Sequence, residues 1–60
     1  MIQVKLFDEE HEADLEVEMN YFLKQLDEHK IVDIKYNAAA IKEDEEGQIY
    51  CFTAMVIYRV

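Results

Sequence analysis

The chain has 60 residues, fourteen acidic side chains against six basic ones for a net charge of -8, one Gly, one Cys, and neither Pro nor Trp. That length holds one small domain, residues 1–60, and the single thiol, Cys51, excludes both a disulfide framework and a thiolate zinc module. No apolar run approaches a twenty-residue membrane span, the acidic balance argues against nucleic acid and anionic membrane as partners, and the opening MIQVKLFDEE lacks the basic-then-apolar pattern of a secretory signal, so a cytoplasmic protein is expected.

Residues 1–7 alternate, with Ile2, Val4 and Leu6 on one side and Gln3 and Lys5 on the other, the period of a strand. Asp8 is a favourable N-cap, and Glu9, Glu10 and Glu12 place negative charge where a helix dipole welcomes it. A helix is expected from about 9 to 29, its apolar stripe formed by Leu15, Met19, Phe22, Leu23 and Leu26, with His29 and Lys30 at its C-terminal pole. From Ile31 the period returns to two: Val32, Ile34, Tyr36, Ala38 and Ala40 share a face, opposite Asp33, Lys35 and Asn37. After the acidic KEDEEG, where Gly47 suits a hairpin loop, comes the most apolar segment, residues 49–60. A pairing that puts the even-numbered residues of both strands on one face sets Ala38 and Ala40 near Phe52 and Tyr50, small against large, and leaves the exact register open.

The expected fold is therefore α+β, in the order β-α-β-β, with a three-stranded antiparallel sheet and one helix packed on one face. The last strand is apolar on both sides and belongs in the middle, giving the strand order 1-3-2. A domain this small buries only about 60% of the surface its unfolded chain exposes, yet 52% of the residues are hydrophobic. The surplus falls on the sheet face away from the helix, at Ile31, Ile41, Ile49, Cys51, Met55 and Ile57, and on a second helix stripe at Ala13, Val17 and Tyr21. Contiguous patches of this kind mark an interface, so a homo-oligomer joined through open sheet faces is expected. Lys5, Lys35 and Arg59 share the odd-numbered face, where they either meet acidic groups of a neighbour or limit edge pairing.

Nothing in the chain forms a catalytic constellation. His11 within DEEHE lacks the second histidine of H-E-x-x-H, because position 15 is Leu, and capping and solvation account for the cluster without a metal. EDEEG has the charge of a calcium loop but not its ligand spacing. Cys51 sits in an apolar strand without a basic neighbour in sequence, the setting of an inert thiol. Four tyrosines, Tyr21, Tyr36, Tyr50 and Tyr58, lack the cationic flanks of an RNA-stacking sheet, and core packing is expected to absorb three of them. With no Ser, no Pro and no Gly-rich phosphate loop, neither an enzyme nor a cofactor is expected.

The segments VKLFDEEHE at 4–12, DIKY at 33–36 and YCFTAMVIYR at 50–59 resemble the small, sigma-E-controlled sporulation proteins of endospore-forming bacilli, over nearly the whole chain. These segments are a strand-to-helix junction, a strand start and a central strand, so they speak of family and fold rather than of a site. The resemblance implies expression in the mother cell early in sporulation, in a family without an assigned molecular activity. The leading expectation is a non-enzymatic, oligomeric accessory or interaction protein. One alternative is a small-molecule-binding assembly, since the β-α-β-β order is similar to that of the flavin-storing dodecins, although their flavin-stacking tryptophan has no counterpart here. Another is an acidic decoy whose carboxylates at 8–18 and 43–46 imitate a phosphate backbone toward a basic partner.

Overall fold

The computed structural model describes the backbone of residues 1–43 and 47–60 and the side chains of 1–40 and 49–60. It contains β1 (Ile2–Glu9), α1 (Glu12–Lys24), a 3₁₀ turn (Glu28–Lys30), β2 (Ile31–Glu43) and β3 (Gly47–Arg59). The sheet is antiparallel throughout, in the order β1-β3-β2. Element order, strand order and the central place of β3 are those expected from the sequence; the β2–β3 register, which the sequence left open, puts Ala38 opposite Phe52 and Ala40 opposite Tyr50. The turn residues 44–46 lie outside the described residues, and with them the calcium-loop comparison.

The helix boundaries differ from expectation at both ends. The β1–β3 ladder continues through Asp8–Thr53 to Glu9–Phe52, so Asp8 is a strand residue rather than a cap. The N-cap is His11, in extended backbone and without a side-chain cap bond, while its carbonyl accepts from the N–H groups of Asp14 and Leu15 at 3.1 and 3.2 Å. At the other end, the N–H groups of Gln25 and Leu26 reach back only three residues, to Phe22 and Leu23, and Asp27 accepts the N–H of His29 at 3.1 Å. An aspartate that bonds its own neighbouring backbone competes with helix continuation. His29 and Lys30 consequently lie in the 3₁₀ turn, and Lys24 is the base of the last helical turn.

The apolar stripe of α1 packs where expected. Leu15 joins Phe7, Ala54 and Val56 as the buried core, with Met19, Phe22, Leu23, Phe52 and Tyr58 against it. Val56, at the sheet centre, is 0% exposed. Phe22 binds the layers by edge-to-face contacts to Phe7 (5.9 Å) and Tyr58 (5.4 Å), the arrangement the ring quadrupoles prefer. Tyr58 is the one tyrosine drawn into this core, and its hydroxyl donates to Gln3 Oε1 at 3.1 Å. Tyr21, Tyr36 and Tyr50 remain exposed, fewer packed than expected; α1 packs chiefly on β1 and β3, and Tyr36 of β2 only borders a shallow depression beside Leu15, Met19 and Leu23.

A core with four buried side chains among the described residues leaves little to compensate a cavity. Leu15→Ala is expected to cost about 2–5 kcal/mol, a large fraction of the total stability of so small a domain, and urea unfolding followed by circular dichroism measures it.

Candidate interaction surface

Partners across an antiparallel ladder share a face, so the register settles which residues point away from α1. Phe7 opposite Ala54 and Lys5 opposite Val56 lie on the helix side; Ile2, Val4 and Leu6, opposite Arg59, Ile57 and Met55, lie on the other. On β2 the same open face carries Asp33, Lys35, Asn37 and Ala39, opposite Ile57, Met55, Thr53 and Cys51. The uncovered side is therefore an apolar band of Ile2, Val4, Leu6, Met55 and Ile57, bordered by polar groups on β2. Leu6 is 65% exposed. Beside it, Leu6, Asp8, Lys35, Asn37, Thr53 and Met55 border a shallow depression of about 340 Å³.

Of the residues singled out in the sequence, Cys51, Met55 and Ile57 fall on this face and are half-buried, and Ile49 is exposed near the hairpin end. Ile41 pairs with Ile49, but its side chain lies outside the described residues. Ile31 does not belong here. The register shifts between Ile31 and Asp33, which places Ile31 opposite Tyr58 on the helix side; Val32 is the extra residue of the bulge, and one extra residue reverses the parity of what precedes it. Lys5 is likewise on the helix side, 5.9 Å from the centre of the Phe7 ring, and not with Lys35 and Arg59. Ala13, Val17 and Tyr21 are exposed along α1 as expected.

Ile2, Val4 and Leu6 were legible as a strand face but not as part of this surface. The signal that would have placed them is Phe7, the bulky residue that breaks their alternation and takes the core position.

The polar groups near the band are quiet chemically. The Cys51 thiol donates to Asp8 Oδ1 at 3.0 Å, and this bond, with burial and the negative charges of Asp8 and Glu10, raises the thiol above its ordinary pKa. Lys35 and Asp33 form an exposed ion pair at 3.4 Å, of a kind that contributes little. Thr53 donates to the carbonyl of Asn37 at 3.3 Å. Glu9, on the helix side, has its pKa raised by the charge of Glu18 first, then by burial and by Asp14, Asp8 and Glu10. Among the described residues, no group of three His, Cys, Asp or Glu is arranged to hold a metal ion, and no helix is long and apolar enough to cross a membrane.

Two outcomes follow from these shifts. Thiolate is the reactive form, so Cys51 should react with iodoacetamide at pH 8 more slowly than a free cysteine, and Asp8→Asn should accelerate it. A carboxylate with a raised folded-state pKa destabilises the fold as pH climbs from the ordinary carboxylate value past the raised one. Glu9→Gln should therefore raise the melting temperature at pH 7, and its advantage should vanish below the ordinary carboxylate range, as a pair of melting curves would show.

No solved structure matches the chain. The family described as "Sporulation protein Cse60" matches residues 1–60. The Sporulation protein cse60 of Bacillus subtilis (strain 168) is 48% identical over 59 residues, covering 98% of each chain. A match along the full length at that identity settles membership: the chain belongs to the Cse60 family of sporulation proteins.

Proposed function

We propose that this chain is a non-enzymatic accessory protein of sporulation that works as a self-associated assembly in the cytoplasm of the mother cell, its copies packed through the open sheet face. The observation that carries this reading is the band of Ile2, Val4, Leu6, Met55 and Ile57 on the side α1 does not cover. Its size fits. The molecule exposes 4967 Å², against about 4,100 Å² for a compact monomer of this mass. The excess, about 800 Å², is one partner's share of a standard interface.

The mixture on this face suits self-recognition. An apolar centre with a polar rim is the anatomy of an interface core. Arg59 stands at its border in a chain of net charge -8, within reach of the carboxylates of a facing copy.

Light scattering after size exclusion at micromolar concentration should give at least two chain masses. Met55→Glu should weaken association at least about tenfold, since a charge enters a desolvated apolar centre. A folded wild-type monomer at that concentration would remove this reading.

A further inference from the structure

The outer edge of β1 is a separate surface from the open face, and among the described residues it is unpaired, because β1 has only β3 as a neighbour there. The hydrogen-bond phase of that edge can be read from its first pair. Met1 and Val60 exchange both backbone bonds, Val60 N–H to the Met1 carbonyl at 2.9 Å and the Met1 amine to the Val60 carbonyl at 3.4 Å. Such pairs alternate along an antiparallel ladder. Gln3, Lys5 and Phe7 therefore turn their N–H and C=O groups toward β3, whereas Ile2, Val4, Leu6 and Asp8 turn theirs outward, to nothing.

We infer that this edge is a strand-pairing site for a second copy of the same chain, β1 against β1 antiparallel about a two-fold axis at Val4. Three observations favour a second copy over another occupant. The first is self-complementarity, which a two-fold interface requires. A two-fold normal to the sheet keeps both helices on one side, so residues of like parity must face each other. An axis at Lys5 sets like charges directly opposite, which is unfavourable. An axis at Leu6 sets Asp8 against Val4. The axis at Val4 matches Ile2 with Leu6 and Val4 with itself on the open face, and Gln3 with Lys5 on the helix side. The second is charge: Lys5 is the only ionised side chain in residues 2–7 of a chain with net charge -8, so two like-charged copies meet here with the least repulsion.

The third is what flanks the edge. Val17 and Tyr21, 68% and 70% exposed, stand with Lys5, Phe7 and Glu18 around an open groove of about 700 Å³ between α1 and this strand. The same axis brings the second copy's helix to that side, where the two stripes can cover each other. The β2 edge offers no such site: its start is bulged and its facing residues include Asp33 and Lys35, features that discourage strand addition.

Residue-resolved hydrogen exchange on the wild-type protein tests this without altering it. Pairing about Val4 protects the outward amides of Val4 and Leu6 to within about tenfold of those of Lys5 and Phe7, and leaves Asp8 fast. Val4 and Leu6 exchanging as a free edge, while Lys5 and Phe7 stay protected, would overturn it. Light scattering of variants separates this edge from the open face. N-methylation of the Val4 amide in the chemically synthesised chain removes the outward N–H and keeps the Val4 side chain on the open face, and an edge strand tolerates the loss of an outward donor, so this variant should keep its fold by circular dichroism and halve the assembly's mass. An assembly that survives N-methylation at Val4 but splits with Met55→Glu would refute edge pairing and leave the open-face reading intact; the converse would do the opposite.

Discussion

The pairing of Phe7 with Ala54 governs the distribution of the remaining apolar surface. Phe7 is the β1 side chain large enough to reach Phe22 and close the small core around Leu15 and Val56. Once it points at the helix, strand parity leaves no freedom: Gln3 and Lys5 must also face α1, and Ile2, Val4 and Leu6 must face away. One buried ring thus sends the three most regular apolar residues of the strand into solvent. The polar pair is accommodated locally, Gln3 by the Tyr58 hydroxyl and Lys5 by the Phe7 ring.

Length compounds the effect. The hairpin strands have 13 residues each and β1 has 8, and α1, also 13 residues, is only about 20 Å long at helical rise. The molecule extends over 46 × 19 × 11 Å, so one helix and one short strand cannot cover the hairpin. β1 reaches no further along β3 than Phe52. Beyond it the described ribbon has two strands, and isolated two-stranded ribbons are marginal in water. Tyr50 stacked on Phe52 at 6.2 Å supports it from one side, and exposed apolar residues lie on both.

Much of this was legible in the sequence. The change of period at Ile31 and the doubly apolar last strand made the topology legible, because each reflects which faces are buried; the alanines set against aromatics pointed to a shared face, but alternation leaves the β2–β3 register open by steps of two, and the ladder itself supplies it. What was missed depended on single competing bonds. Asp8 has the chemistry of a cap, but its ladder pairing with Thr53 and the Cys51 thiol hold it in the strand. The helix pattern runs on to Leu26, and Asp27 ends it by bonding the backbone of His29. Ile31 was misplaced by a bulge, which no alternation reveals. Lys5 was misplaced because the face of β1 follows from Phe7, not from the cleaner alternation around it. The face itself was legible as surplus apolar surface; its membership was not, since parity on each strand is set by one contact with the core.

The two proposed contact surfaces differ in geometry, and this bears on what kind of assembly such a chain can form. Pairing along the β1 edge uses an axis normal to the sheet, whereas packing of open faces uses an axis lying in its plane. Perpendicular two-folds close into a bounded four-chain particle only where the axes intersect, so an assembly that used both contacts would be closed if the in-plane axis passes beneath Val4 and open-ended if it does not. Closure matters for this sequence in particular. A long edge with an apolar face is an aggregation hazard when it stays open, and the chain has no proline anywhere to block it. Its bulge and charged residues protect the β2 edge, while β1 carries neither a bulge nor more than one charge along residues 2–7. An edge left unguarded on one strand and guarded on the other is the pattern of a chain that tolerates pairing in one place, and a net charge of -8 would keep such an assembly apart from its neighbours.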